Sequence, residues 1–114
     1  MSATAEFFDG LAQRGHEPLL ERATGTVRFD LVENGRDERW LVAVDKGDIV
    51  VSHRDGTADC TLRASRRLFE GVATGEVNAM AAVMRGAIQV DGDWHLLVLF
   101  QRVFPTSANV RSAV

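Results

Sequence analysis

The sequence predicts an α+β domain: an antiparallel β-sheet with one solvated face and helices over the other. Short segments of alternating or continuous apolar residues, set off by Gly-containing turn signals, fill the stretch from Thr26 to Leu62 and recur at Ile88 to Val90. The segments before and after them space their apolar residues by three and four and open on Thr, Ser, Asn or Asp, whose side-chain oxygens can accept from the orphan N–H groups of a first helical turn. With 114 residues, 46% of them hydrophobic, the chain can build one core and has no room for a second. The expected domain covers 1–105, with a polar, small-residue tail at 106–114.

Taken in order, Thr4 is the expected N-cap of a first helix whose stripe is Phe7, Phe8, Leu11 and Ala12, ending near Gly15. Pro18 suits the first turn of a short second helix through Leu19, Leu20 and Arg22, where a missing N–H costs little. From Thr26 the period becomes two: Val27, Phe29 and Leu31 face one way, Thr26, Arg28 and Asp30 the other. Asn34-Gly35 tolerates the positive φ of a tight hairpin into Trp40–Val44, and Lys46-Gly47-Asp48 turns the chain into Ile49-Val50-Val51. Asp55-Gly56 leads to Ala58, Cys60 and Leu62. Four successive strands joined by short turns read as an antiparallel meander with one wet face.

Ser65 caps a helix carrying Leu68, Phe69 and Val72, with Gly75 as its left-handed terminator. Asn78 caps a short helix with Met80, Val83 and Met84, closed by Gly86. Ile88 and Val90 alternate with Gln89 and Asp91 in a fifth strand, Gly92 turns, and Asp93 caps a last helix running to about Val103, before Pro105. That helix carries too much apolar surface for one stripe: Trp94, Leu97 and Val98 supply one, and Leu96, Leu99, Phe100 and Val103 a second. A helix apolar nearly all round is buried on more than one side. The second side meets other helices, a partner chain or a bound apolar ligand, and periodicity does not choose among them.

Several function classes drop out. The formal charge is −3 and the basic residues, almost all Arg, are scattered without a stripe, which argues against nucleic acid. No apolar run approaches the roughly 20 residues that span a bilayer, and the N-terminal residues lack the basic start and apolar stretch of a secretory signal. Cys60 is the only cysteine, so no intramolecular disulfide forms. A cytoplasmic location is expected.

The ordered series Gly25-Thr26-Val27-Arg28-Phe29-Asp30-Leu31, Trp40 to Asp45, Ala58-Asp59-Cys60-Thr61-Leu62, Leu68-Phe69, Thr74-Gly75-Glu76-Val77-Asn78 and Met84 to Asp93, with Gly75, Gly86 and Gly92 at their spacings, resembles the type-2 sterol carrier protein (sterol-binding domain) family from about Thr24 to Phe104. The resemblance implies a five-stranded, mostly antiparallel sheet covered on one face by helices. It also implies an apolar cavity between the layers for a fatty acid, acyl-CoA, phospholipid or sterol-like molecule. It carries over no catalytic group, cofactor or metal. On that footing the expected wall is Leu68, Phe69, Val72, Val77, Met80, Met84, Trp94, Leu97 and Val98. Methionine in such a wall re-packs around varied shapes. Trp94 stands where the family has slender residues, which predicts a narrower tunnel that disfavours a sterol; Ala87 replaces a common lysine, and Ser112-Ala113-Val114 is not a peroxisomal address.

Other constellations are weaker. Arg63, Arg66 and Arg67 cluster at a helix N-terminus and could meet a lipid headgroup or CoA phosphate, or form a solvated basic edge. Asp91, Asp93 and His95 lack metal-ligand spacing. Cys60 falls on the apolar phase of its strand, as an inert buried thiol would, rather than beside His53 as a nucleophile. The expected function is non-catalytic binding, with transfer as its extension. The alternative is a protein-interaction module, with the cavity closed, that forms a homodimer or docks to an enzyme of lipid metabolism.

Overall fold

The computed structural model describes residues 2–54 and 56–105; the expected tail, 106–114, lies outside the described residues. Its elements are α1 (Ala3–Arg14), a 3-10 turn (Pro18–Leu20), β1 (Thr24–Glu33), β2 (Arg36–Asp45), β3 (Asp48–Ser52), β4 (Cys60–Ser65), α2 (Arg66–Thr74), α3 (Ala79–Met84), β5 (Gln89–Gly92), α4 (Trp94–Phe100) and a closing 3-10 turn (Gln101–Val103). The five strands make one sheet in the order β3-β2-β1-β4-β5.

The sheet is mostly antiparallel, and the departure corrects the expected meander. β1–β2, β2–β3 and β4–β5 are antiparallel, whereas β4 lies parallel to β1, with Val27 opposite Cys60 and Phe29 opposite Leu62. Between β3 at one edge and β4 the chain therefore passes across two strands instead of turning back. On the helix-free face the Arg28 guanidinium donates to the Gly56 carbonyl at 3.0 Å. The landing is fixed by Asp59, whose N–H donates to the Thr26 carbonyl while its carboxylate accepts from the Thr26 N–H. Both hairpin turns have positive φ at their two central residues, Asn34-Gly35 at 52° and 78° and Lys46-Gly47 at 50° and 93°, the backbone that matches strand twist.

The period-two reading of the strands holds. Val27, Phe29, Leu31, Trp40, Val42, Val44, Cys60, Leu62 and Ala64 are buried on one face, under Phe8 and Leu11 of α1, Phe69 and Val72 of α2, Ala79 and Ala82 of α3, and Leu96, Leu97 and Phe100 of α4. Aromatic rings form the centre: Phe8 stacks on Trp40 at 4.5 Å and on Phe69 at 5.6 Å, and meets Phe29 edge-on at 5.0 Å. On the opposite face Asp30 is only 3% exposed. Arg28 grips its two carboxylate oxygens at 3.0 and 2.9 Å, and Arg63 stands 3.9 Å away, so a buried charge is paired rather than orphaned.

Helix starts at Ser65, Asn78 and Asp93 are as expected, each side chain accepting from N–H groups of its first turn, and Gly15 and Gly75 end their helices in the left-handed region. The cap of α1 is a correction. Ser2 accepts from the Ala5 N–H, and Thr4 is fully buried inside the helix. The Thr4 hydroxyl donates to Glu70 at 2.6 Å, and the Ala3 and Thr4 N–H groups donate to the same carboxylate. The free N-terminal donors of α1 are thus satisfied from α2.

Candidate functional site

Helices α2, α3 and α4 lean over β1 and β4 and enclose an apolar space with no polar atom on its wall. It is lined by Phe29, Leu31, Leu62, Ala64, Phe69, Val72, Ala79, Val83, Ile88, Leu97 and Phe104. Each lining residue has a local cause. Phe29 and Leu31 alternate inward along β1, and Leu62 and Ala64 pair with them across the parallel ladder. Phe69 and Val72 are one turn apart on α2. Ile88 is placed by the Ala87 and Ile88 N–H groups, which both donate to the Ala82 carbonyl as the chain leaves α3.

The space is about 10 Å³. Pockets that hold small ligands run to roughly 300–1,000 Å³, so this layer is closed and must part to admit a chain. The narrowing does not come from Trp94, which is 51% exposed and stands outside the lining. It comes from aromatic rings inside: Phe69 lies 5.4 Å from Phe29 and 5.9 Å from Phe104.

Of the residues expected in the wall, Phe69, Val72 and Leu97 meet on this lining. Met80 is partly buried against the core. Leu68 and Val77 also pack on the core but line a separate, open groove on the outer side of α2. Met84 is 86% exposed and Val98 43%, so with Trp94 they stand at the surface. On α4 the buried positions are Leu96, Leu97 and Phe100, not the stripe of Trp94, Leu97 and Val98. Sequence reading passed over Phe29, Leu31, Leu62, Ile88 and Phe104 as wall residues. The strand phase of the first three was a usable signal, whereas Phe104 lies past the last helix and gave none.

The three arginines do not act as one cluster. Arg66 and Arg67 line the groove of about 850 Å³ together with Leu68, Glu70, Gly71, Thr74 and Val77. Arg66 is engaged by Glu38 at 3.4 Å and Glu33 at 3.7 Å. Arg63 lies on the helix-free sheet face, 3.3 Å from Asp37. Among the described residues Arg67 forms no ion pair and is exposed.

Titratable groups elsewhere have structural settings. Burial, followed by the nearby carboxylates of Asp93, Asp91 and Asp59, pushes the Cys60 thiol up to about 11, which leaves it protonated and unreactive at neutral pH. Exposed His16 sits between Asp48 at 2.8 Å and Glu21 at 3.0 Å, and these hydrogen bonds raise its pKa. Glu70 is held below the usual carboxylate range, first by the Thr4 hydroxyl and then by the backbone N–H groups of Ala3 and Thr4. Among the described residues no group of three His, Cys, Asp or Glu side chains could hold a metal ion, and no helix is long and apolar enough to cross a membrane.

Comparison with known proteins agrees with this architecture. No curated protein sequence matches the chain. Among solved structures, the sterol carrier protein domain 2 of Helicoverpa armigera superposes with a TM-score of 0.72 at 21% identity, over 89% of this chain and 87% of that one. The sterol carrier protein-2 of Aedes aegypti, solved in complex with palmitate, gives 0.68 at 22% identity, over 90% and 94%. The sec-alkylsulfatase Pisa1 from Pseudomonas sp. gives 0.68 at 17% identity, over 88% of this chain but only 16% of the enzyme. These likenesses establish a shared fold. The sequence profile of the SCP-2 sterol transfer family matches residues 7–105, and the chain belongs to that family.

Proposed function

We propose that the protein binds a slim apolar chain, such as a fatty acid or the acyl part of an acyl-CoA, between the sheet and helices α2 to α4, and releases it without chemical change. The observation that carries this reading is a wholly apolar lining between the two layers of a chain that belongs to a sterol transfer family. The palmitate complex of the Aedes aegypti protein, of the same fold, supports an acyl ligand. Phe69, Val72 and Leu97 form the wall, backed by Met80, with Phe29, Leu31 and Leu62 as the sheet side. Burial of each methylene contributes about 0.8 kcal/mol, which must exceed what it costs to part the layers. Arg67, exposed beside Leu68 on the outer groove, is the guanidinium available to an anionic headgroup.

The test is native mass spectrometry of the protein mixed with palmitate, palmitoyl-CoA and cholesterol, alongside a calorimetric titration of each. A one-to-one palmitate adduct is expected. No adduct and no heat with any of the three would overturn the reading.

A second reading has its own support. The layer is nearly closed, and the sulfatase carries a like fold as a small part of a larger enzyme chain. Under it the domain docks to an enzyme or to a second copy. Sedimentation of the purified chain as a dimer, with no palmitate adduct, is its signature.

A further inference from the structure

We propose that Phe104 sets the room available to the apolar ligand: its ring keeps the layer closed, and its rotation outward into the groove along α1 opens it. The proposal rests on the binding reading above and names the side chain that yields.

Phe104 is 5% exposed and forms part of the cavity lining. Its ring closes one side of the aromatic cluster, 5.9 Å from Phe69, 5.6 Å from Phe100 and 6.4 Å from Phe29. Almost every other lining residue stands on a strand or helix. The exception, Ile88, is bracketed by its bond and that of Ala87 to the Ala82 carbonyl and by β5. Phe104 instead lies on extended backbone, φ −71° and ψ 141°, just beyond the closing 3-10 turn, with its N–H donating to the Gln101 carbonyl at 3.2 Å. Moving its ring breaks no sheet or helix hydrogen bond.

There is also somewhere for the ring to go. Its neighbours Val103 and Pro105 line an open groove of about 580 Å³ along α1, with Glu6, Phe7, Gly10, Gln13 and Arg14. Phe7 is part of that groove and already touches Phe104, ring centroids 5.3 Å apart. Gly10 leaves the groove uncrowded, since a Cβ there would meet nothing within 4 Å. The ring can therefore turn out against Phe7, Val103 and Pro105, the apolar part of a groove that Glu6, Gln13 and Arg14 also line. Inside, loss of one large core side chain leaves a void on the order of 150 Å³, enough to admit the first part of an apolar guest.

The experiment compares the native protein with F104A, F104L and F100L by calorimetric titration of palmitate. It also follows the aromatic NMR contacts of the native protein as palmitate is added. Phe100 belongs to the same cluster and is fully buried, but it stands on α4 and does not line the cavity, so F100L controls for a loosened core. F104A is expected to bind roughly tenfold or more tightly, because the closed form no longer competes with the ligand. F104L should fall between, and F100L should show no gain. In the native protein the contacts from Phe104 to Phe69 and Phe100 should vanish on saturation while those to Phe7 persist. Should F104A fail to fold, F104L and the native NMR contacts decide. If the native protein binds palmitate while neither Phe104 variant gains affinity and the ring keeps its contacts, Phe104 is not the yielding element and the binding reading stands. If no variant binds palmitate, the binding reading falls, and this proposal with it.

Discussion

Glu70→Gln isolates one tertiary device, the carboxylate of α2 that closes the N-terminus of α1. In the native protein it accepts from the Ala3 N–H, the Thr4 N–H and the fully buried Thr4 hydroxyl. Glutamine keeps the shape but offers one acceptor oxygen and turns an NH₂ group toward donors. The change replaces charge-assisted bonds, worth about 1.5–3 kcal/mol, by a neutral bond of about 1 kcal/mol. It also removes an anion from a helix N-terminus, worth about 0.3–1 kcal/mol. A loss of about 2 kcal/mol is expected in urea unfolding at pH 7, or a fall in Tm of roughly 8 °C or more at this chain length. The sign with pH follows from the depressed carboxyl. The unfolded chain takes up the proton more readily, so the stabilisation is present above the ordinary value of 4.5 and is lost as pH falls through the lower folded value. Native protein should therefore lose this increment on acidification, and Glu70→Gln should lack it. A variant within about 0.3 kcal/mol of native at pH 7, with the same acid dependence, would refute the reasoning.

Three further outcomes follow from the geometry. Gly92→Ala should destabilise by about 3 kcal/mol or more and disorder the β4–β5 pairing, because φ is +106° and the added Cβ would lie 2.2 Å from the Asp59 carbonyl oxygen; equilibrium unfolding with amide exchange at Leu62 and Val90 checks this. Proton NMR should place the His16 titration above 6.5. Its favourable contribution is complete below the unfolded value and lost as pH rises through the folded one, and Asp48→Asn should move the midpoint down. Cys60 should resist a thiol reagent at pH 8 in the native state and react fully in urea, with protection rising and falling with global stability.

What could be seen in the sequence was whatever depends on near neighbours. The inward phases of β1, β2 and β4, the hairpin turns, the Ser65, Asn78 and Asp93 caps and the Gly75 stop all follow from residues within a few positions of each other. What escaped depends on distant partners. Ser2 and Thr4 are comparable caps by type, and Glu70 decides between them by holding Thr4 inside. The parallel pairing of β4 with β1 is set by Asp59 reaching Thr26, where the Asp55-Gly56 signal suggested only another turn. On α4 an almost wholly apolar sequence conceals the phase. It is Leu96 beside Gly25 and Phe100 against Phe29 that turn Trp94 and Val98 outward. Met84, expected in the wall, is the last residue of the short α3 and points to solvent, while Phe104, past the last helix, packs against Phe69 of α2. The family resemblance implied a cavity between the layers, and packing leaves a nearly closed apolar space there.

The most direct test of the account is NMR of the protein saturated with ¹³C-labelled palmitate, reading contacts between chain methylenes and protein methyl and ring protons. Contacts to Leu62, Phe69, Val72 and Leu97, from both layers at once, are predicted. Contacts confined to Met84, Trp94 and Val98 on the surface, or to the outer groove of α2, would contradict it.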